Sequence, residues 1–293
     1  PAIPLIQSTV MAESSTKRRG FNLGFVLSGS ALLGNGLTPI MATSIASHFD
    51  WRFAFYSLAI PGFVIAFILM KYLKEPKTHS SDEKPYNPTL TDYKNLFKNK
   101  NINLSIITAI LYMAFLFSFT TFLPLFLINV GEYTVTQAGT LVSIFGVVVF
   151  AWNIVVAIIS DKIGRKSTTL IFSFISCLIP VAVITFYTNY LLLMILLALL
   201  AAGLGYQTLI MFVIPGESVP KAIMASTTAL IILLCETIGG SIGPYISGVL
   251  SDKFSLFAPL WFSLAVSFLL FLVSFGFKET APSKVEATLI QQP

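Results

Sequence analysis

Hydropathy divides this chain more sharply than any motif does. Eight apolar segments fall at roughly Phe21–Ser44, Phe53–Leu73, Ile102–Ile128, Gln137–Ile159, Thr168–Tyr187, Leu191–Val213, Ala222–Leu250 and Ala258–Phe277. Each has about the 20 residues that a helix needs to cross a hydrocarbon layer ~30 Å thick. Backbone polar groups in lipid must be satisfied within the chain, so spans of this kind are helical. Internal prolines (Pro39, Pro61, Pro124, Pro180, Pro244) do not veto this, because neighbouring helices or side chains can re-satisfy the carbonyls they expose. The chain is 55% hydrophobic and only 11% charged, with mean hydropathy +0.83. A soluble domain carries roughly 25% charged residues, so there is too little charge here to cover a water-facing surface. The expected fold is an all-α polytopic membrane bundle whose first partner is the lipid bilayer, and no nucleic-acid partner is expected.

Charge placement orients the spans. Of the 18 lysines and arginines, all but Arg52 and Lys253 fall in loops on one side. The positive-inside bias makes that side cytoplasmic in a multi-pass protein of the cell membrane. The Pro- and Lys-rich stretch Lys74–Asn101 then becomes a cytoplasmic linker, and the C-terminus is cytoplasmic as well.

A long-range repeat organises the chain. Glu13 and Glu217, Lys17 and Lys221, and Gly36 and Gly240 are each 204 residues apart. An offset this long indicates duplicated halves rather than a solenoid, and duplicated halves are a mark of secondary transporters. The counterpart of the half that begins near Ile102 would lie about 100 residues before Pro1, by the same 204-residue offset. The expectation is therefore an N-terminally truncated piece of a 12-span protein. Residues 1–73 would hold the tail of span four with spans five and six, 74–101 the linker, 102–278 a six-helix bundle (spans seven to twelve), and 279–293 a cytoplasmic tail. The missing N-terminal helices would be needed for a complete pathway.

Ser160-Asp161-Lys162-Ile163-Gly164-Arg165-Lys166 is a short, densely charged turn between two long spans without Asp, Glu, Lys, Arg or His. It resembles the signature cytoplasmic loop of the major facilitator superfamily, with Ala157 where that family favours glycine. Pro215-Gly216-Glu217-Ser218-Val219-Pro220 resembles the P-x-E loop before span eleven. Gly239-Gly240-Ser241-Ile242-Gly243-Pro244 and Gly248-Val249-Leu250-Ser251-Asp252 resemble span eleven and the loop after it. Arg19-Gly20 and Asp50-Trp51-Arg52-Phe53-Ala54-Phe55 resemble the signals around span five. The resemblance covers essentially the whole chain. It implies secondary active transport of a small solute by alternating access, read here as proton-coupled symport of an organic anion or sugar-related compound. The alternatives are drug/proton antiport, or a non-transporting membrane sensor or scaffold on the same fold. Leu37-Thr38-Pro39-Ile40 lacks the Gly-Pro-x-x-Gly-Gly pattern of antiporters, which argues against antiport.

The candidate residues follow. Asp161, Gly164, Arg165 and Lys166, joined by Glu217 and Lys221, are expected to form a charge network that clasps the cytoplasmic side as a conformational gate; plain positive-inside anchoring is the simpler alternative. Glu236 is the only acid placed well inside a span. A carboxylate at that depth is costly unless paired, hydrated or neutralised, so Glu236 is a proton-coupling candidate, with helix packing as the alternative. Tyr112, Asn153, Gln207 and Asn35 are polar residues at mid-span and candidates for the substrate pathway. Phe115, Phe117, Phe119 and Phe122 are read as packing or lipid-facing. His48 and His79 have no partners at metal-ligand spacing, and Cys177 and Cys235 lie inside spans. No phosphate-binding loop or hydrolase motif is present. No metal, cofactor or enzymatic activity is expected.

Overall fold

The computed structural model describes residues 25, 26, 29, 31–72, 96–281 and 284. The first expected segment of the chain, most of the linker, the end of the tail, and the side chains of Asn35 and Lys221 lie outside the described residues.

Among the described residues every regular element is helical. A π-helical stretch, Ala31–Leu37, runs into α1 (Thr38–His48), followed by α2 (Trp51–Tyr72). The second part comprises α3 (Lys100–Asn129), α4 (Val135–Ile163), α5 (Arg165–Phe186) and α6 (Tyr190–Leu200). It continues through the four-residue α7 (Ile214–Glu217), α8 (Lys221–Leu234), α9 (Gly240–Lys253) and α10 (Ala258–Ser274). Among the described residues six helical runs are long and apolar enough to cross a membrane, and α10 is a shorter apolar helix. The chain is an all-α, multi-pass membrane protein.

Helix starts are written locally. Asn99 caps α3 by accepting from the Asn101 N–H at 3.0 Å, and Asn189 caps α6 through Leu192. Thr134 and Gln137 form a reciprocal capping box at the start of α4. One tie reaches across the bundle. Asn101 Nδ2 donates to the Lys278 carbonyl (3.2 Å), and the Lys278 N–H donates back to Asn101 Oδ1 (2.9 Å). This fastens the start of α3 to the segment that follows α10.

Two expected continuous spans are interrupted. Leu191–Val213 is not one α-helix: a 3₁₀ turn at Ala201–Leu204 is followed by a π-helical stretch at Leu209–Val213. Gly203 lies directly on the backbone of Ser176 in α5, and Gly205 lies on the Trp152 carbonyl in α4. This run is pressed between two helices, and only glycine fits at both contacts. The other interruption is the π-helical stretch Cys235–Gly239 between α8 and α9. Single π turns inside α-helices recur at functional sites, and this one carries Glu236.

The core lies inside the α3–α10 bundle. Tyr112, Phe115, Phe119 and Phe126 of α3 are almost completely buried there. Phe122 is also buried, whereas Phe117 is exposed on a cavity wall. Gly239 and Gly243 bring the π turn and α9 against the backbone of α3 at Ile110 and Ala114, the close approach that small residues allow in membrane helices. By contrast α2 packs chiefly on α1 and exposes large apolar side chains, with Phe63 at 76% and Met70 at 80%.

Candidate functional site: a charged cluster and an apolar cavity

Arg165, the first residue of α5, organises one end of the bundle. Its side chain is only 10% exposed. Nη1 donates to Ser160 Oγ (2.6 Å) and Asp161 Oδ1 (2.5 Å), and Nη2 donates to Glu217 Oε1 (3.0 Å). A planar guanidinium with five donors can serve three acceptors in fixed directions, which a lysine ammonium on its flexible stem does not match. Gly164 makes the preceding turn with φ +102° and ψ 157°, a backbone region essentially reserved for glycine.

A further member of the cluster is not legible in the sequence. Glu279 falls in the tail by sequence, and its carboxylate accepts from the backbone N–H groups of Arg165 (2.7 Å) and Lys166 (3.2 Å). It therefore caps α5 from 113 to 114 residues away. Its neighbour Thr280 donates Oγ1 to Glu217 Oε2 at 2.6 Å. The only signal in sequence was an acid just beyond the last apolar span. Asp161, Gly164, Arg165 and Glu217 thus converge. Lys166 takes part through its backbone, and the side chain of Lys221 lies outside the described residues.

From the other end of the bundle a cavity of about 530 Å³ runs inward to mid-span, a size typical of small-molecule sites. Along α3 its lining runs from Ile128 inward to Tyr112, and along α4 from Val135 to Val149. Pro39 and Thr43 of α1 close its side, so it is built between the first helices and the α3–α10 bundle. Thr43 seats on Gly139, where a Cβ would meet its hydroxyl. At the inner end, Tyr112 donates its hydroxyl to the Leu204 carbonyl at 2.9 Å. Tyr112 also packs edge-on against Tyr206, with ring centroids 5.5 Å apart. The α3 wall is thereby tied to the broken run after α6.

Three of the predicted pathway and coupling residues, Tyr112, Gln207 and Glu236, line this cavity. Asn153 does not. It is buried a turn beyond Val149, where its amide Nδ2 donates to the Val149 carbonyl (3.1 Å). Its Oδ1 is buried without a hydrogen-bond partner among the described residues. The side chain of Asn35 lies outside the described residues. Among the described residues Glu236 has no hydrogen-bond or ion-pair partner. Among them, too, no group of three or more His, Cys, Asp or Glu could hold a metal ion.

A bundle of membrane-length helices with a cavity reaching mid-span is an arrangement shared with secondary transporter folds. The family model described as Major Facilitator Superfamily matches residues 1–244 and 132–292. The chain belongs to the major facilitator superfamily. It is 22% identical over 259 residues to the multidrug resistance protein MdtM of Escherichia coli (strain K12), covering 83% of this chain and 61% of that protein. It is 26% identical over 247 residues to a probable 4-methylmuconolactone transporter of Cupriavidus pinatubonensis, covering 81% of this chain and 56% of that one. An MFS-type efflux pump of Mycolicibacterium smegmatis is 20% identical over 231 residues, covering 77% and 52%. The chain thus spans between half and two thirds of the length of these relatives.

Proposed function

We propose that this protein serves secondary transport of a small solute across the cell membrane by alternating access, with proton coupling through Glu236. The observation that carries this reading is the cavity between the first helices and the α3–α10 bundle, reaching from one end to mid-span and backed at the other end by the Arg165 cluster. Solute binds where the two parts meet, and rocking of one part against the other would expose it to alternate sides. The lysine and arginine bias assigns the Asp161 end to the cytoplasm. In that orientation the cavity faces outward while the Arg165 cluster holds the cytoplasmic side closed, with Lys166 and Lys221 on the same face. Among the described residues lining the cavity the only other ionisable group is the Tyr112 phenol, which leaves Glu236 as the group to exchange a proton with bound solute.

Two finer readings differ in the direction of proton flow. Symport of an organic anion or sugar-related compound moves protons with solute, and drug/proton antiport moves them against it. Both relatives named for a substrate class, a multidrug resistance protein and a 4-methylmuconolactone transporter, are compatible with a small organic solute. The test is flux of labelled organic acids, sugars and drugs in proteoliposomes, with and without an imposed proton gradient. Solute movement that follows the gradient, and loses that dependence in Glu236→Gln, is expected. Gradient-dependent flux that survives intact in Glu236→Gln rules out the coupling role.

A further inference from the structure

We infer that the cavity is built to take an organic cation with an aromatic or aliphatic body, and that Glu236 is its counter-ion; this rests on the transport reading above. The wall settles which charge the cavity can accommodate. Among the described residues lining it, Glu236 is the only acid and no lysine, arginine or histidine is present. The π turn at Cys235–Gly239 places Glu236 on this wall, and no described side chain pairs with it. An ionised carboxylate in a mostly apolar cavity is stabilised by a cation, and the energy of such a pair rises as water is excluded.

The hydroxyl groups point to the same class. An anionic solute needs donors, and here most of the hydroxyls are already committed, Thr121 being the exception. Thr43 donates to the Pro39 carbonyl at 2.7 Å, Thr120 to Leu116 at 2.7 Å, and Tyr112 to Leu204 at 2.9 Å. The Gln207 amide rests on Met211 Sδ at 3.7 Å. A carboxylate would enter a site with one repelling charge and few available donors. A cation would instead meet the rings of Tyr112, Phe117 and Phe145, whose faces attract positive charge. Phe117 lies close to the acid: a Cβ on Gly240 would stand 3.4 Å from its ring and 3.8 Å from Glu236 Oε2. The substrate class thus differs from the organic anion that the sequence suggested.

Tetraphenylphosphonium and tetraphenylborate test this directly, being similar in shape and opposite in charge. Binding of each to the purified full chain in detergent is measured by calorimetry. Tetraphenylphosphonium should bind at least about tenfold more tightly than tetraphenylborate. Glu236→Gln should reverse or erase that preference, while Glu236→Asp keeps it. Phe117→Leu, which leaves the carboxylate in place, should weaken the cation several-fold and serves if Glu236→Gln fails to fold. Equal binding of the two ions, no binding of tetraphenylphosphonium, or an unchanged preference in Glu236→Gln overturns the inference. Gradient-driven flux of a sugar or an acid without tetraphenylphosphonium binding would sink this inference and leave the transport reading standing. Cation binding without flux of any solute would do the reverse.

Discussion

Glu279 Oε1 accepts the backbone N–H of Arg165 at 2.7 Å, so an acid beyond the last membrane helix caps a helix in the middle of the chain. The first turn of a helix leaves N–H groups without intrahelical partners, and the Gly164 that precedes α5 has no side chain to serve them. Glu279 supplies both acceptor oxygens, and its charge complements the helix dipole. Glu279→Ala should therefore destabilise the protein by about 1–2 kcal/mol, read as a lower unfolding midpoint in detergent. Glu279→Gln, which keeps one carbonyl acceptor, should cost less.

Gly164 is fixed twice, by its backbone and by the same carboxylate. Its φ of +102° is strained for any residue with a Cβ, and an added Cβ would run into Glu279. The backbone term alone is on the order of 1–3 kcal/mol. Gly164→Ala should lower stability by at least that amount. The loss should shrink in the double variant with Glu279→Ala, because one of the two clashes is then gone; a double-variant cycle measures the coupling.

The two acids on Arg165 are not equivalent. The Asp161 side chain is 68% exposed and that of Glu217 only 22%. Exposed ion pairs contribute little because water screens them, so Asp161→Asn should change stability by no more than about 1 kcal/mol. Glu217→Gln disturbs a less exposed, charge-assisted contact and also Thr280, and should cost about 1.5–3 kcal/mol. If the cluster acts as a gate, Asp161→Asn still biases the two conformations. Solute flux should then change in rate more than in half-saturation, a split that simple anchoring would not produce.

The spans, the charged turn and the acid within an apolar span were legible because each is a local property of sequence. Apolar length fixes a membrane helix, and the helices run within a few residues of the expected bounds at Trp51–Tyr72, Lys100–Asn129 and Val135–Ile163. Whatever depends on contact between distant segments was not legible. Nothing near Glu279 indicates that its partners are Arg165 and Lys166. Gly203 and Gly205 sit in a mostly apolar run, and only the backbones of Ser176 and Trp152 reveal why glycine is needed at both positions. Asn153 and Gln207 look alike as polar residues at mid-span. One rotates into packing and the other onto the cavity, a difference of a few helical residues that single-sequence periodicity does not resolve.

Glycines in α9 give a paired test of helix contact. At Gly243 an added Cβ would lie 2.6 Å from the Ala114 carbonyl oxygen and 2.7 Å from its Cα, both backbone atoms of α3. Backbone cannot rotate away as a side chain can, so α3 and α9 must separate. At Gly248, five residues on in the same helix, the nearest atom is the tip of the Phe122 ring at 3.9 Å. Gly243→Ala should cost about 1–3 kcal/mol through overpacking. Gly248→Ala should be neutral or stabilising by up to ~1 kcal/mol, since alanine favours helix and nothing must move. Unfolding midpoints of the two variants, compared in one detergent, separate a contact set by close approach from a general preference for glycine along α9. Equal destabilisation by both would mean that flexibility of the helix, rather than its packing on α3, is what these glycines supply.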